Sequence, residues 1–312
     1  MPASDSMRPI DSEVTRCRRA EREAGVVALA FLPSVSVGTS IAAFVEHLCM
    51  APLAITDSPT LPECGGSKWA VASLDDLAQL AALVLIGRAA HAEAVLKGAI
   101  NPPARIAVAT KARLIGNLQP RGDAGTWHRD GHLFEIICWI AERLNAGMDD
   151  VISPPHHSPT QQGLDSLRVS FEWLGRTITQ VTVFEFKCTD HARDKFRDEI
   201  MRTFKGYHSG ERDPELSQTA VALLASFNLT DAERIAIYDK LIQERPLVFH
   251  AALTVTPEAF DHARRLSLFN GFSALECPVD ARFGDTFPLA EIRSWFAGFA
   301  EVVRAKIEEM DV

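Results

Sequence analysis

The run Val181–Asp190, VTVFEFKCTD, constrains this chain more than any other stretch. Side chains alternate across a β-strand, so Val181, Val183, Glu185 and Lys187 share one face, and Phe184, Phe186 and Cys188 the other. One face stays apolar while the other begins apolar and ends charged. That pattern belongs to a central strand covered on both sides. A carboxylate and an ammonium in such a place need partners, because an uncompensated buried charge is very costly.

The preceding segment, Gly163–Phe171, supplies a partner. A three-residue loop around Gly175 sets Val169 opposite Val181, Leu167 opposite Val183 and Asp165 opposite Glu185. Leu164 then meets Phe186, and Arg168 meets Thr182, on the other face. Apolar matches apolar in this register, which is how register is specified. Directly opposed residues have Cβ atoms about 4.5–5.5 Å apart, and like charges so placed destabilise a sheet. Two carboxylates held that close imply a bound cation or a shared proton. With Lys187 one pleat from Glu185, the reading is a divalent metal.

Asp165, followed by Glu185-Phe186-Lys187 on the next strand, resembles the signature of the PD-(D/E)XK nuclease superfamily, with Leu164 where that family usually shows Pro. The resemblance covers roughly Thr126 to Val279. It implies that Asp165 and Glu185 bind Mg²⁺ or Mn²⁺, that the Phe186 carbonyl adds an oxygen, and that Lys187 positions or activates the attacking water. It also implies a further acid from the first helix. Glu135 is either that acid or a half-exposed surface residue, and Glu142, two turns along, is the substitute. On the helix after the motif, Arg193, Arg197 and Arg202 are either phosphate contacts or part of a salt-bridged solvent face. His156 and His157, in a proline-rich loop, either approach the substrate or are simply exposed. The implied activity is metal-dependent hydrolysis of DNA phosphodiester bonds, with RNA left open. The implied setting is restriction or anti-phage defence, beside a helicase or ATPase subunit. The alternative is a catalytically inactive nuclease-fold subunit used for binding or assembly. Intact Asp165, Glu185 and Lys187 weigh against it.

Composition limits the setting. The chain is 47% apolar and 23% charged with a net charge of −9, so bulk charge does not drive adhesion to nucleic acid. A nuclease of this charge needs a local basic surface or a partner. Its six cysteines form no CxxC pair and no zinc spacing, which reads as reduced thiols in a cytoplasmic protein. Gly25–Val45 is uncharged, but Pro33, Ser34, Ser36, Gly38, Thr39 and Ser40 in its middle argue against a membrane span. Val26–Leu32 reads instead as a buried strand, and Thr39 or Ser40 as the cap of a helix through Met50. Residues 1–24 do not suit a signal-peptide n-region.

The expected organisation is an α/β protein with two parts. Residues 1–120 form an N-terminal α/β extension, and residues 121–312 a restriction-endonuclease-like mixed sheet flanked by helices. The extension contains a loop over Pro52–Lys68, a helix capped by Ser73 and running to about Lys97, and a strand at Ile106–Ala109. Pro120–Thr126 marks the boundary. Next come a helix from about Arg129 to Asn145, a stiff loop over Val151–Gln162, the hairpin, and a helix over His191–Lys205. Pro214–Phe227 reads as helix, and Thr230–Glu233 as a capping box opening another. Strands are expected at Leu247–Val255 and Phe272–Val279, and a closing helix from Pro288 to about Glu309.

Overall fold

The structure is a computed structural model that describes residues 51–98, 104–120, 122–147, 149–158, 163–257 and 262–312. The strand and helix expected between Val26 and Met50 lie outside the described residues.

Strands β1 (Leu53–Asp57) and β2 (Ser67–Val71) form an antiparallel pair where a loop was expected. The Pro and Gly residues that suggested the loop cluster between the two strands. Ser73 accepts a hydrogen bond from the Asp76 N–H (3.3 Å) and opens α1, Leu74–Leu85. The helix does not continue to Lys97, because Gly87 takes φ +80° and the chain restarts as α2, Ala89–Leu96. Glycine enters this left-handed conformation without a Cβ penalty and so ends a helix cleanly. The expected strand at Ile106–Ala109 is replaced by α3, Val108–Leu118, whose buried Leu114 and Leu118 fall at helical spacing. Helix α4, Gly122–Asn145, starts earlier than expected and absorbs the Gly-rich turn cluster as its first turns.

Strand β3, Asp150–Ile152, occupies the start of the segment expected as a loop. It pairs antiparallel with β4 (Ser166–Glu172), and β4 with β5 (Thr177–Lys187). The β4–β5 register is the expected one: Leu167 opposes Val183, Arg168 opposes Thr182 and Val169 opposes Val181. The turn is Trp173–Arg176, longer than the three-residue loop expected, with Arg176 at φ +46°. A bulge between Ser170 and Phe171 on one strand and Ile178 and Gln180 on the other compensates for it and restores the register.

Ala192–Lys195, Phe196–Ile200 and Met201–Ser209 run on as helix α5, whose middle segment is a π turn. Helix α6 (Asp213–Leu223) and α7 (Asp231–Gln243) follow, α7 opened by the Thr230/Glu233 capping box. Then come β6 (Leu247–Val255), α8 (His262–Leu268), β7 (Arg282–Pro288) and α9 (Ile292–Glu308). Phe272–Val279 is not a strand. Gly271 (φ +88°) and Glu276 (φ +53°) bracket a 3₁₀ turn there, and its Phe272 and Leu275 are buried one turn apart.

The strands make one mixed seven-stranded sheet in the order β1-β2-β7-β6-β5-β4-β3. Neighbours from β2 through β7 and β6 to β5 are parallel, and the outer pairs antiparallel. Helices α1, α4 and α9 cover Phe184, Phe186, Ala252 and Phe287 on one face. Helices α5, α6 and α7 cover Val181, Val183, Phe249 and Leu253 on the other. Strand β6 is buried along its whole length, as a central parallel strand should be. Cys49–Val312 forms one compact unit, so β1 and β2 share a sheet with the strands beyond residue 120. Among the described residues, no helix is long and apolar enough to cross a membrane.

Candidate active site

The acidic residues meet at the C-terminal end of β5. Gly163 takes φ +136°, a backbone that side-chain-bearing residues rarely adopt, and turns the chain into Leu164 and Asp165. The β4–β5 ladder stops at the Ser166–Phe184 pair. Beyond it the Asp165 carboxylate takes over: Oδ2 accepts a hydrogen bond from the Phe186 N–H at 2.7 Å. Glu185 and Lys187 project from one face of β5, and Lys187 Nζ donates to Glu185 Oε1 at 2.7 Å. The same ammonium lies 3.9 Å from Asp165 Oδ2. One lysine therefore sits between two carboxylates, of which Glu185 is 6% exposed.

Burial pushes the Asp165 carboxyl up to about 7, and the Glu185 charge pushes in the same direction. Lys187 and the Phe186 N–H oppose both without cancelling them. Lys187 responds in the complementary way: burial disfavours its charge, but Asp165 and Glu185 outweigh burial and raise it above its ordinary value. With both acids ionised, two carboxylates outnumber the one ammonium.

Glu135 reaches the same region through His156. Its Oε1 accepts the His156 backbone N–H at 2.7 Å and lies 3.0 Å from Nδ1 of that ring. The His132 Nε2 is 2.8 Å from the His156 carbonyl oxygen, which fixes the loop from a second point. The hydrogen bond to Glu135 raises the His156 pKa against the effect of burial, and the Asp165 and Glu185 charges add to it. Burial lowers His132. His156, Glu135, Asp165, Glu185 and Lys187 thus form one electrostatic neighbourhood, while His157 is exposed.

The remaining residues singled out in the sequence are placed differently. Arg193 donates to the carbonyls of Leu268 (3.0 Å) and Asn270 (2.8 Å), tying α5 to the end of α8. Arg197 is exposed and paired with Asp194 (3.1 Å) and Asp198 (2.6 Å), and Arg202 is exposed on the same helix. Glu142 does not stand in for Glu135. Two turns carry it about 10 Å along α4, where it is 1% exposed and bonded to Arg168 Nη1 at 3.2 Å.

What surrounds Glu142 has no signature in the local sequence around it. Its carboxylate, the His250 imidazole and the Asp285 carboxylate are all buried, with ligand-type atoms within 4.8 Å of one another. A histidine inside the apolar run LVFHAALTV was the available signal.

Asp165 and Glu185 offer hard oxygen donors, with Lys187 between them. That chemistry fits Mg²⁺ or Mn²⁺ better than a thiolate- or imidazole-preferring ion. Comparison of the chain with protein-family models, with curated proteins and with solved structures finds no match in any of the three.

Proposed function

We propose that this protein is a metal-dependent nuclease that hydrolyses DNA phosphodiester bonds. The observation that carries the reading is the Asp165–Lys187–Glu185 arrangement: two carboxylates on one ammonium, with the Phe186 N–H orienting Asp165. The order α4, β3–β4–β5, α5, β6, with β6 parallel to β5, is in keeping with a restriction-endonuclease-like core. Helices α6 and α7 are then an insertion between α5 and β6. A helicase or ATPase partner follows from the family resemblance alone.

Asp165 and Glu185 would hold the cation, with Glu135 and the Phe186 carbonyl as the further oxygens that the family resemblance implies. A divalent ion so held supplies charge neutralisation for the scissile phosphate and lowers the pKa of a bound water. The protein's own residues do the rest. The Phe186 N–H fixes the direction of Asp165. Lys187 would orient the attacking water and stabilise charge developing on phosphate oxygens. Glu135 holds the His156 loop, and its hydrogen bond to the ring favours the protonated imidazole.

The purified chain should cut duplex DNA with Mg²⁺ or Mn²⁺ and stop when EDTA is added. Lys187→Ala should lower the rate by at least about 100-fold. Equal cleavage with and without chelator would remove the proposal. A folded protein that cuts neither DNA nor RNA in either metal would favour the inactive binding subunit.

A further inference from the structure

The buried polar chain on the other face of the sheet has no part in the proposed hydrolysis. His250, on β6, lies between Glu142 of α4 and Asp285 of β7. Its Nε2 is 2.8 Å from Asp285 Oδ2 and its Nδ1 is 3.4 Å from Glu142 Oε1. The three residues are 7%, 1% and 2% exposed in the order His250, Glu142, Asp285. Glu142 Oε2 accepts from Arg168 Nη1 at 3.2 Å, and Asp285 Oδ1 accepts from the Ser67 N–H at 2.6 Å. Among the described residues, Glu142 Oε1 accepts no hydrogen bond, and His250 Nδ1 approaches it to 3.4 Å. The rings of Phe184 and Phe283 lie 5.1 and 5.6 Å from the imidazole, centroid to centroid.

Donors of these types could take a metal ion, but two features favour a proton. A metal binds one ring nitrogen and gathers its other ligands on that side, with a partner on the second nitrogen only to orient the ring. Here the two acids face different nitrogens. The second feature is charge. Glu142 and Asp285 bring two negative charges and Arg168 one positive, so a neutral imidazole would leave a net negative charge buried. A proton on the imidazole offsets part of that charge, and uncompensated buried charge is costly. The flanking aromatic rings also favour a cation.

We propose that His250 is a buried imidazolium that clamps α4 to β6 and β7, and that loss of its proton loosens α4 from the sheet. The groups facing it are Glu142 from α4, Asp285 from β7, Arg168 from β4 and the Phe184 ring from β5. Asp150 of β3 lies behind Arg168 at 4.0 Å. Burial alone would lower His250, but Glu142 and Asp285 outweigh it and raise it; burial also raises Glu142. Both directions favour a proton on the pair. A raised folded pKa contributes stability that is fully present below the unfolded value of about 6.5, and lost as pH rises through the folded value. Helix α4 also carries Glu135, so the clamp steadies the helix that holds His156.

The test is NMR of the full chain labelled with ¹⁵N-histidine, with His250 assigned by its loss in His250→Gln or its displacement in Glu142→Gln. At pH about 7 both ring nitrogens of His250 should carry hydrogen. A neutral tautomer with one bare nitrogen would overturn the clamp. So would a change in these resonances when Zn²⁺ is added to chelator-treated protein, because it would make the cluster a metal site. In melts between pH about 6 and 10, wild type should lose about 3–6 °C more than His250→Gln, or than Glu142→Gln if the first variant does not fold. Parallel wild-type and variant curves would equally contradict the proposal.

Discussion

Lys187 is the residue on which the acidic recess balances. It offsets Glu185 at 2.7 Å and Asp165 at 3.9 Å, so removing it leaves two facing carboxylates with no cation between them. Lys187→Ala should lower the stability of the chelated protein by about 3 kcal/mol, read from urea unfolding. Asp165→Asn should do the opposite. The Asp165 carboxyl is raised to about 7 in the fold, so the folded state binds its proton more tightly than the unfolded chain does. Stability in chelator therefore falls as pH climbs from about 4 to about 7. At most about 4 kcal/mol is at stake, and Asp165→Asn removes the slope. A variant whose stability tracks the wild type across that window would count against the charge conflict. At this scale the sequence was informative, since period-two alternation on β5 put Glu185 and Lys187 on one face and the apolar register brought Asp165 beside them. It was uninformative about Glu142 and His250. Their partners, Arg168 and Asp285, come from separate strands, and no local pattern joins residues so distant along the chain.

At the scale of elements, what could be read depended on whether the signal was local. The Thr230/Glu233 capping box and the Ser73 cap rest on side chains meeting backbone N–H groups within one turn, and both form as read. Thr230→Ala should cost about 1 kcal/mol in equilibrium unfolding, and an unchanged midpoint would mean that α7 is held by packing alone. The β4–β5 register held although the turn did not, because the facing valines and leucines fix it and the bulge accommodates the longer turn. Misreadings fell where local composition competes with tertiary packing. The Pro- and Gly-rich stretch before Lys68 hid β1 and β2. The apolar run after Gly271 looked like a strand but is held in 3₁₀ turns by left-handed residues at both ends. Only Lys68 and Thr286 pair between β2 and β7, and the Asp285 carboxylate adds a bond to the Ser67 N–H. Such long-range side-chain support leaves no local trace.

Across the whole molecule, the sheet separates two kinds of buried charge. At the end of β5, toward α5, two carboxylates outnumber one ammonium when both acids are ionised. Under α4, Glu142 and Asp285 face His250, and Arg168 joins Glu142. The first presents two carboxylates and a lysine at the end of a strand, which is the ground for the function proposed there. Thermal melting of wild type and Asp165→Asn, each with chelator and with millimolar-range Mg²⁺, tests this most directly. Saturating metal should raise the wild-type midpoint by about 5 °C or more and leave Asp165→Asn unmoved. Wild type and variant both indifferent to metal, or both stabilised equally, would contradict the assignment of the site.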